Sequence, residues 1–426
     1  ARARRPSHDL KLTVGAALAL SIAVGCGSKP KHVARDQADL VPATLPATQP
    51  AAAAAVAPPT SIEDALKLID ARPAWTDLPP IDLPRHPAEK HLRGMVIVID
   101  PGHGGEDGGD NSKESPRYKA GPSGAKEAHM NLRVSFLLRR LLADAGAIVV
   151  LTREGDDTIS LKQRAEVANR IRRPDGGIGA DLFISVHHNA AGNRVSNYSS
   201  VWYHGTVDDN EVELDVARYI AHELPAEIRT DAARTSPVLS SHLMYAGGFG
   251  VLRACDVPAI LLECSFYTNL AEEQRLLDAT YNLREAYAIY RGLCEYAYGG
   301  RPTQSTPLVT LGGSQAKLTT TLDEGLPTWW GSDRPQIVSS TVAVRVDGRA
   351  VPFAFDPITK SLSASFPMES DGAVVELHHA NMFKHHNWPQ RYAVKRAGGS
   401  EQLAVEPLPP VRDAYKAPAT KPATTR

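Results

Sequence analysis

Four segments of the chain place ionisable side chains where a strand is predicted to end or a helix to begin. His103 follows the apolar run 96–99, and Pro101 stops that strand because proline cannot donate to a ladder. His187 ends the predicted strand 182–187, and Glu263 ends the predicted strand 258–263. Glu127 lies in the first turn of a predicted helix. Because open α/β folds place their sites at the carboxyl edge of the sheet, we expect these side chains to converge there.

Two histidines and one glutamate form a typical zinc-binding set that leaves the fourth position open for water. A further glutamate could serve as the general base. A single histidine after a strand is more often an ordinary polar loop residue, so this interpretation depends on all four side chains arriving together. Around His103, glycines at positions 102, 104 and 105 allow the backbone to turn without Cβ clashes.

The elements that must position these residues alternate between strands and helices. Strands are predicted over 95–100, 147–152, 182–187, 200–204 and 258–263. Helices are predicted over 127–145, 160–173, 211–229 and 271–298. Such alternation predicts an α/β domain with a mainly parallel twisted sheet and helices on both faces.

The ordered motifs within residues 94–298 resemble the zinc-dependent N-acetylmuramoyl-L-alanine amidases of bacterial cell walls, the AmiC-like (amidase 3) family. The matching blocks are 99–105, 121–127, 150–153, 168–169, 183–187 and 258–269. The resemblance implies an amidase/phosphorylase-hydrolase-like fold. It also implies cleavage of the amide between N-acetylmuramic acid and L-alanine in peptidoglycan.

The resemblance also implies a role for each matching residue. His103, Glu127 and His187 would bind Zn²⁺, and Glu263 would act as general base on the zinc-bound water. His188 replaces the small residue usual after the second histidine, and it could touch substrate or face solvent. The residues expected to contact substrate or to support the ligands are Asn131, Arg153, Asn169, His188 and Asn189.

Two other functions stay open from the sequence. One is a peptidoglycan-binding module without catalysis, and the other is a zinc peptidase that cuts within the stem peptide. The formal net charge of −1 gives no overall basic surface, so no nucleic-acid partner is expected.

Residues 1–26 are typical of an export signal that ends in a lipobox-like sequence. Three arginines precede the apolar stretch 12–24, and Ala23-Val-Gly-Cys26 resembles the site at which a bacterial lipoprotein is lipidated. We expect a lipid anchor through Cys26, with plain secretion or an uncleaved anchor as alternatives. Each places the body of the protein in the cell envelope, as a periplasmic protein or a membrane-anchored lipoprotein. A Pro/Ala-rich linker over 27–60 and a short helix with an irregular lead-in over 61–93 follow.

The C-terminal part of the chain changes to an alternating pattern. Residues 341–346, the Asp347-Gly348 turn and residues 350–355 predict a hairpin within a small all-β, sandwich-like domain over 305–398. This domain could bind wall polymer, bind an envelope protein partner or pack on the catalytic domain. The pairs 378–379 and 385–386 are both His-His, a composition that resembles a metal cluster, but surface positions or adventitious metal binding are expected for them. Residues 399–426 are predicted to be a disordered tail.

Overall fold

A computed structural model describes residues 83–105, 119–205, 211–230, 235–326, 336–396 and 400–412. The predictions for the signal sequence, Cys26, the Pro/Ala-rich linker and the helix after residue 61 lie outside the described residues. Within the described ranges, none of the helices has both the length and the apolar character that a membrane span needs.

The N-terminal part is built on a mixed six-stranded sheet. Its strands are β1 (Val96–Pro101), β2 (Ile148–Leu151), β3 (Leu182–Asn189), β4 (Ser200–Tyr203), β5 (Val238–Ser240) and β6 (Ala259–Phe266), in the order β2-β1-β3-β6-β4-β5. The first four strands of that order run parallel, β4 is antiparallel to β6, and β5 is parallel to β4. The prediction of a mainly parallel sheet is confirmed. The three-residue strand β5 carries no sequence signal and was not predicted.

Helices cover both faces of this sheet. They are α1 (Glu127–Asp144), α2 (Leu161–Arg170), α3 (Glu211–Ile228), α4 (Gly250–Ala254), α5 (Leu270–Leu277) and α6 (Ala279–Tyr298). Ile97 and Ile99 of β1 join one apolar cluster with α1, α3 and α6, whereas Val96 and Val98 join another with α2 and α4. Side chains along a strand alternate between faces, so a strand buried on both faces is apolar throughout.

Helix boundaries follow local capping chemistry. Ser160 and Gln163 form a capping box that starts α2. The predicted single helix 271–298 is wrong, because Asp278 has extended backbone angles and divides it into α5 and α6. The Asp278 side chain accepts a hydrogen bond from the Thr280 backbone amide, so this residue stops one helix and caps the next.

The described residues between 303 and 412, which we call the β domain, form two antiparallel sheets around one apolar core. One sheet has the order β11 (Arg349–Ala350), β10 (Ala343–Val346), β14 (Gly372–His378), β15 (Gln390–Lys395), β16 (Ala404–Leu408). The other has the order β12 (Phe353–Asp356), β13 (Ser361–Pro367), β9 (Gln315–Asp323), β7 (Thr303–Gln304), and β8 (Leu308–Gly312) also pairs with β9. The predicted all-β sandwich-like domain is thereby confirmed.

Two details of the β domain differ from the predictions. The expected strand 350–355 is divided at Pro352, which cannot donate to a ladder, so its second half joins the other sheet as β12. The predicted disordered tail is wrong for residues 404–412. Here β16 forms the edge of a sheet, and the Arg412 guanidinium pairs at 2.7 Å with Glu213 of α3. The strand was not predicted because prolines at positions 407, 409 and 410 argue against a strand, although an edge strand tolerates proline.

Candidate active site

The loop after β1 presents His103 through a network of buried polar groups. The Asp100 carboxylate accepts hydrogen bonds from the Thr152 hydroxyl (2.5 Å) and the Ser185 hydroxyl (2.7 Å). It also forms an ion pair with Arg164 at 2.7 Å. The Arg164 guanidinium also donates to the His103 carbonyl oxygen at 2.6 Å. His103 itself has φ = 59°, a left-handed conformation that non-glycine residues adopt rarely and that typically marks a functional site.

Glu127 lies between two imidazoles at the N-terminus of α1. One carboxylate oxygen is 3.2 Å from His103 Nε2, and the other is 3.1 Å from His187 Nδ1. The side chain is 3% exposed. Burial alone would raise the pKa of Glu127, but the charge of His103 and hydrogen bonds to both imidazoles hold that pKa well below its usual range. Glu127 is therefore ionised at neutral pH.

His187, at the end of β3, packs against the loop that carries His103. The two imidazole rings meet edge to face, with centroids 4.8 Å apart. A Cβ atom at Gly102 would come within 2.2–2.6 Å of three atoms of the His187 ring, so only glycine permits this approach. Glycine is therefore required at position 102 for two reasons: the chain turns there after a strand, and the two imidazoles pack closely.

Glu263 is the register partner of His187 on the neighbouring strand β6. Its side chain opens partly to solvent, but its Oε2 atom is buried and has no hydrogen-bond partner among the described residues. Burial, followed by the negative charge of Glu127, raises the pKa of Glu263 well above its usual range. Two carboxyl groups in one site therefore have pKa values displaced in opposite directions, which is typical of a ligand and an acid–base residue.

His188 does not touch solvent, and neither of the two roles expected for it fits its position. It is 2% exposed and points away from His187, because adjacent residues of a strand face opposite sides of the sheet. Its Nε2 atom is 2.9 Å from a carboxylate oxygen of Glu285 on α6, and its Nδ1 atom is 2.7 Å from Asn131 Oδ1. The His188 backbone amide donates to Glu127 at 3.1 Å, so this buried network reaches the ligand carboxylate.

Two other candidates contact the same structural frame. The Asn131 amide group donates to the Gly102 carbonyl oxygen at 3.1 Å and to Glu127 at 3.4 Å. The Arg153 guanidinium donates to the carbonyl oxygens of Gly102 (2.9 Å) and Ala128 (2.7 Å). Burial lowers the pKa of Arg153 to about 10, which still leaves it charged at neutral pH. These side chains fix the His103 loop against the start of α1.

The structure does not bring Asn169 to this cluster. Asn169 binds Ala254 and Asp256, which precede β6 and lie at the end of that strand opposite Glu263. The Asn189 side chain accepts a hydrogen bond from the next backbone amide, that of Ala190.

Sequence analysis missed Glu273, which orders the loop ahead of Glu127. This residue of α5 is fully buried and accepts hydrogen bonds from the backbone amides of Ser123 and Ala125. A Cβ at Gly121 would collide with its carboxylate. A glutamate in the first turn of a helix is ordinary helix chemistry, so nothing in the sequence separates it from a solvated one.

The expected surface position is wrong for one histidine of each pair in the β domain, whereas His378 and His386 are partly exposed. His379 and His385 are fully buried. His385 lies 2.9 Å from the Tyr219 hydroxyl of α3, and His386 Nδ1 lies 3.0 Å from Asp215 of the same helix. His385 and His386 therefore pack the β domain against α3.

The donor set at the carboxyl edge fits a zinc ion. His103, Glu127 and His187 each offer one ligand atom, and these atoms lie within 4.8 Å of one another. Two atoms that each bind one tetrahedral zinc at about 2.0–2.1 Å are about 3.3 Å apart. Each Glu127 oxygen faces one imidazole, Oε1 at 3.1 Å from His187 Nδ1 and Oε2 at 3.2 Å from His103 Nε2, and each separation is close to this value.

Comparison with known proteins identifies the family of the α/β domain. Residues 97–295 match the amidase 3 family model, described as N-acetylmuramoyl-L-alanine amidase. N-acetylmuramoyl-L-alanine amidase AmiA of Escherichia coli K12 is 29% identical over 245 residues, which cover 49% of this chain and 78% of AmiA. The germination-specific N-acetylmuramoyl-L-alanine amidase of Bacillus subtilis 168 is 28% identical over 221 residues, covering 48% of this chain and 81% of that protein.

Among solved structures, an N-acetylmuramoyl-L-alanine amidase from Clostridium difficile 630 is 30% identical, covering 48% of this chain and 97% of that one with a TM-score of 0.38. The α/β domain with its carboxyl-edge site is that of a hydrolase. The chain belongs to the amidase 3 family, and it is an N-acetylmuramoyl-L-alanine amidase that acts on peptidoglycan.

Proposed function

We propose that this amidase depends on zinc held by His103, Glu127 and His187, and that Glu263 is its general base. The observation that carries the proposal is the pair of carboxyl groups with opposite environments. Glu127 is held between two imidazoles, whereas Glu263 has a buried oxygen with no hydrogen-bond partner among the described residues. A buried polar atom without a partner is costly unless something binds it during function.

The metal would supply Lewis acidity to polarise the amide carbonyl and to lower the pKa of a water molecule. The protein would contribute by holding the metal-binding residues in position. The Glu127 backbone amide donates to the Lys119 carbonyl oxygen, and the Glu127 carboxylate accepts hydrogen bonds from the His188 backbone amide and the Asn131 side chain. The His103 carbonyl oxygen accepts a hydrogen bond from Arg164. Ligands locked by such contacts lose little freedom on binding a metal.

Glu263 would move the proton that the reaction displaces. Its raised pKa brings its ionisation closer to neutral pH, where a carboxylate can accept a proton and release it again. The oxygen of water forms a bond to the lactyl carbonyl carbon, and its proton passes to Glu263. The bond from that carbon to the L-alanine nitrogen then breaks, and Glu263 returns the proton to the leaving amine.

Restoration of activity by metal tests the zinc dependence. Protein stripped with a chelator should release no new amino termini from peptidoglycan, and added Zn²⁺ should restore the release. Glu127→Ala should remain inactive at the Zn²⁺ concentration that restores the wild type, whereas Glu154→Ala, at a partly exposed carboxylate, should be restored normally. Full activity of the stripped protein with no measurable metal would refute the proposal.

We also propose that the protein is exported and anchored to the membrane by a lipid on Cys26. The support is the basic and apolar leader followed by the lipobox-like sequence. Cells that express the chain should yield a membrane-bound form whose N-terminal peptide carries acyl groups at Cys26. Cys26→Ser should abolish the acylation. An unmodified mature N-terminus located elsewhere would contradict the anchor.

A further inference from the structure

A second group of metal-binding side chains lies where α3 meets the β domain. Glu211 begins α3, His378 ends β14, and His386 lies in the loop between β14 and β15. Each offers one ligand atom, and these atoms lie within 4.8 Å of one another. The imidazole rings of His378 and His386 are nearly parallel, with centroids 5.8 Å apart.

The tautomer of His386 is set by its neighbour. Its Nδ1 atom is 3.0 Å from a carboxylate oxygen of Asp215, and the same oxygen accepts the His386 backbone amide at 2.8 Å. An ionised carboxylate only accepts, so the ring carries its proton on Nδ1 and presents the Nε2 lone pair on its other side. A carboxylate that orients a histidine in this way is typical of metal ligands.

The loop that carries His386 is fixed before any ion binds. Asn387 accepts a hydrogen bond from the His379 backbone amide at 2.7 Å and donates to the Leu377 carbonyl oxygen at 3.0 Å. The Asn381 side chain donates to the Gly299 and Glu324 carbonyl oxygens at 2.9 and 3.0 Å. Because the fold already orders this loop, little conformational entropy of the loop should be lost when an ion binds.

We propose that Glu211, His378 and His386 form a second zinc site that joins the β domain to α3. Two imidazole nitrogens and one carboxylate oxygen suit Zn²⁺ better than Mg²⁺ or Ca²⁺, which prefer oxygen ligands alone. One ligand comes from the amidase domain and two from the β domain, so the ion would cross-link them. This site goes beyond the proposed function, because it contains none of the residues assigned to catalysis.

Metal counting in the full-length protein separates the two sites. In a His103→Ala/Glu127→Ala background, which removes the first ligand set, dialysis against micromolar Zn²⁺ should leave one zinc per chain by mass spectrometry. Adding His378→Ala should reduce this to none. Adding His242→Ala, at an exposed histidine outside the cluster, should leave one. His378→Ala is chosen because it spares the contacts between His386 and Asp215.

Thermal unfolding supplies a second measurement that does not depend on counting. Zn²⁺ should raise the Tm of the His103→Ala/Glu127→Ala protein, and His378→Ala should abolish that rise. Asp215→Asn, which removes the orienting charge, should weaken zinc binding in this background by about 10- to 100-fold. The proposal is overturned if the background protein binds no zinc, or if His378→Ala leaves its zinc content and its zinc-dependent Tm unchanged.

Discussion

Glu263→Gln should separate catalysis from stability in this enzyme. The substitution keeps the shape of the side chain and removes its ability to accept a proton. General bases contribute about 10²- to 10⁴-fold to rate, so kcat should fall by that factor, which corresponds to about 2.7–5.5 kcal/mol of transition-state stabilisation. Because the proposed role concerns proton transfer and not ground-state binding, KM should change little.

The thermal stability of Glu263→Gln should not fall with its kcat. Burial and the charge of Glu127 raise the pKa of Glu263 in the folded protein. A carboxyl group with a raised folded pKa destabilises the fold once the pH exceeds its unfolded pKa, because folding then disfavours the ionised form. A neutral amide removes this cost. The Tm of chelator-treated Glu263→Gln at pH 7 should therefore equal or exceed that of the chelator-treated wild type.

The assay combines steady-state release of amino termini from peptidoglycan with thermal unfolding of the same preparations. Glu166→Gln is the matched control, since Glu166 is a surface residue of α2 paired with Lys162 and Arg170. Surface ion pairs contribute about 0–1 kcal/mol, so this control should keep both activity and Tm. A kcat of Glu263→Gln within threefold of the wild type would refute the role of Glu263. A Tm several degrees lower would refute the electrostatic argument.

Three further predictions follow from single contacts. Gly102→Ala should lower zinc affinity and activity by at least about tenfold, since its Cβ would displace the His187 ring; metal titration showing wild-type affinity would contradict this. Asp100→Asn should cost about 3–5 kcal/mol at pH 7 by urea unfolding, because it breaks a buried ion pair. Arg164 and hydroxyl groups hold the pKa of Asp100 below its usual range despite burial. The difference in unfolding free energy between wild type and Asp100→Asn should therefore be complete above about pH 4 and be lost as the pH falls through the pKa of Asp100 in the folded protein. A difference that does not depend on pH would contradict this. Arg412→Ala should destabilise the full chain by about 3–5 kcal/mol in the same assay, because it leaves a fully buried carboxylate unpaired, and wild-type stability would contradict that reasoning.

The sequence predicts the sheet and the convergence of the site because both depend on local patterns. The apolar runs that end at His187 and Glu263 are continuous, and strands of a parallel sheet bring their carboxyl ends to one edge. His103 adds a glycine-rich turn directly after a strand. No distant contact is needed to place these residues approximately, which is why their positions could be anticipated.

Contacts between distant segments could not be predicted in this way. His188 looks like a second active-site histidine until Glu285, 97 residues later, is found buried against it. The histidines at 385 and 386 look solvated because their partners on α3 lie more than 160 residues earlier. Arg412 follows a proline-rich segment, and only its pairing with Glu213 shows that the chain is ordered there. Each case requires knowledge of which surfaces meet.

Zinc-dependent amidase action is tested most directly by analysing the products that residues 61–426 release from purified peptidoglycan, with and without chelator. We expect free stem peptides with L-alanine at their amino termini and glycan strands with intact lactyl groups, neither of which should form with chelator or with Glu263→Ala. Cleavage within the stem peptide, or release of L-alanine termini that persists in both controls, would contradict this expectation.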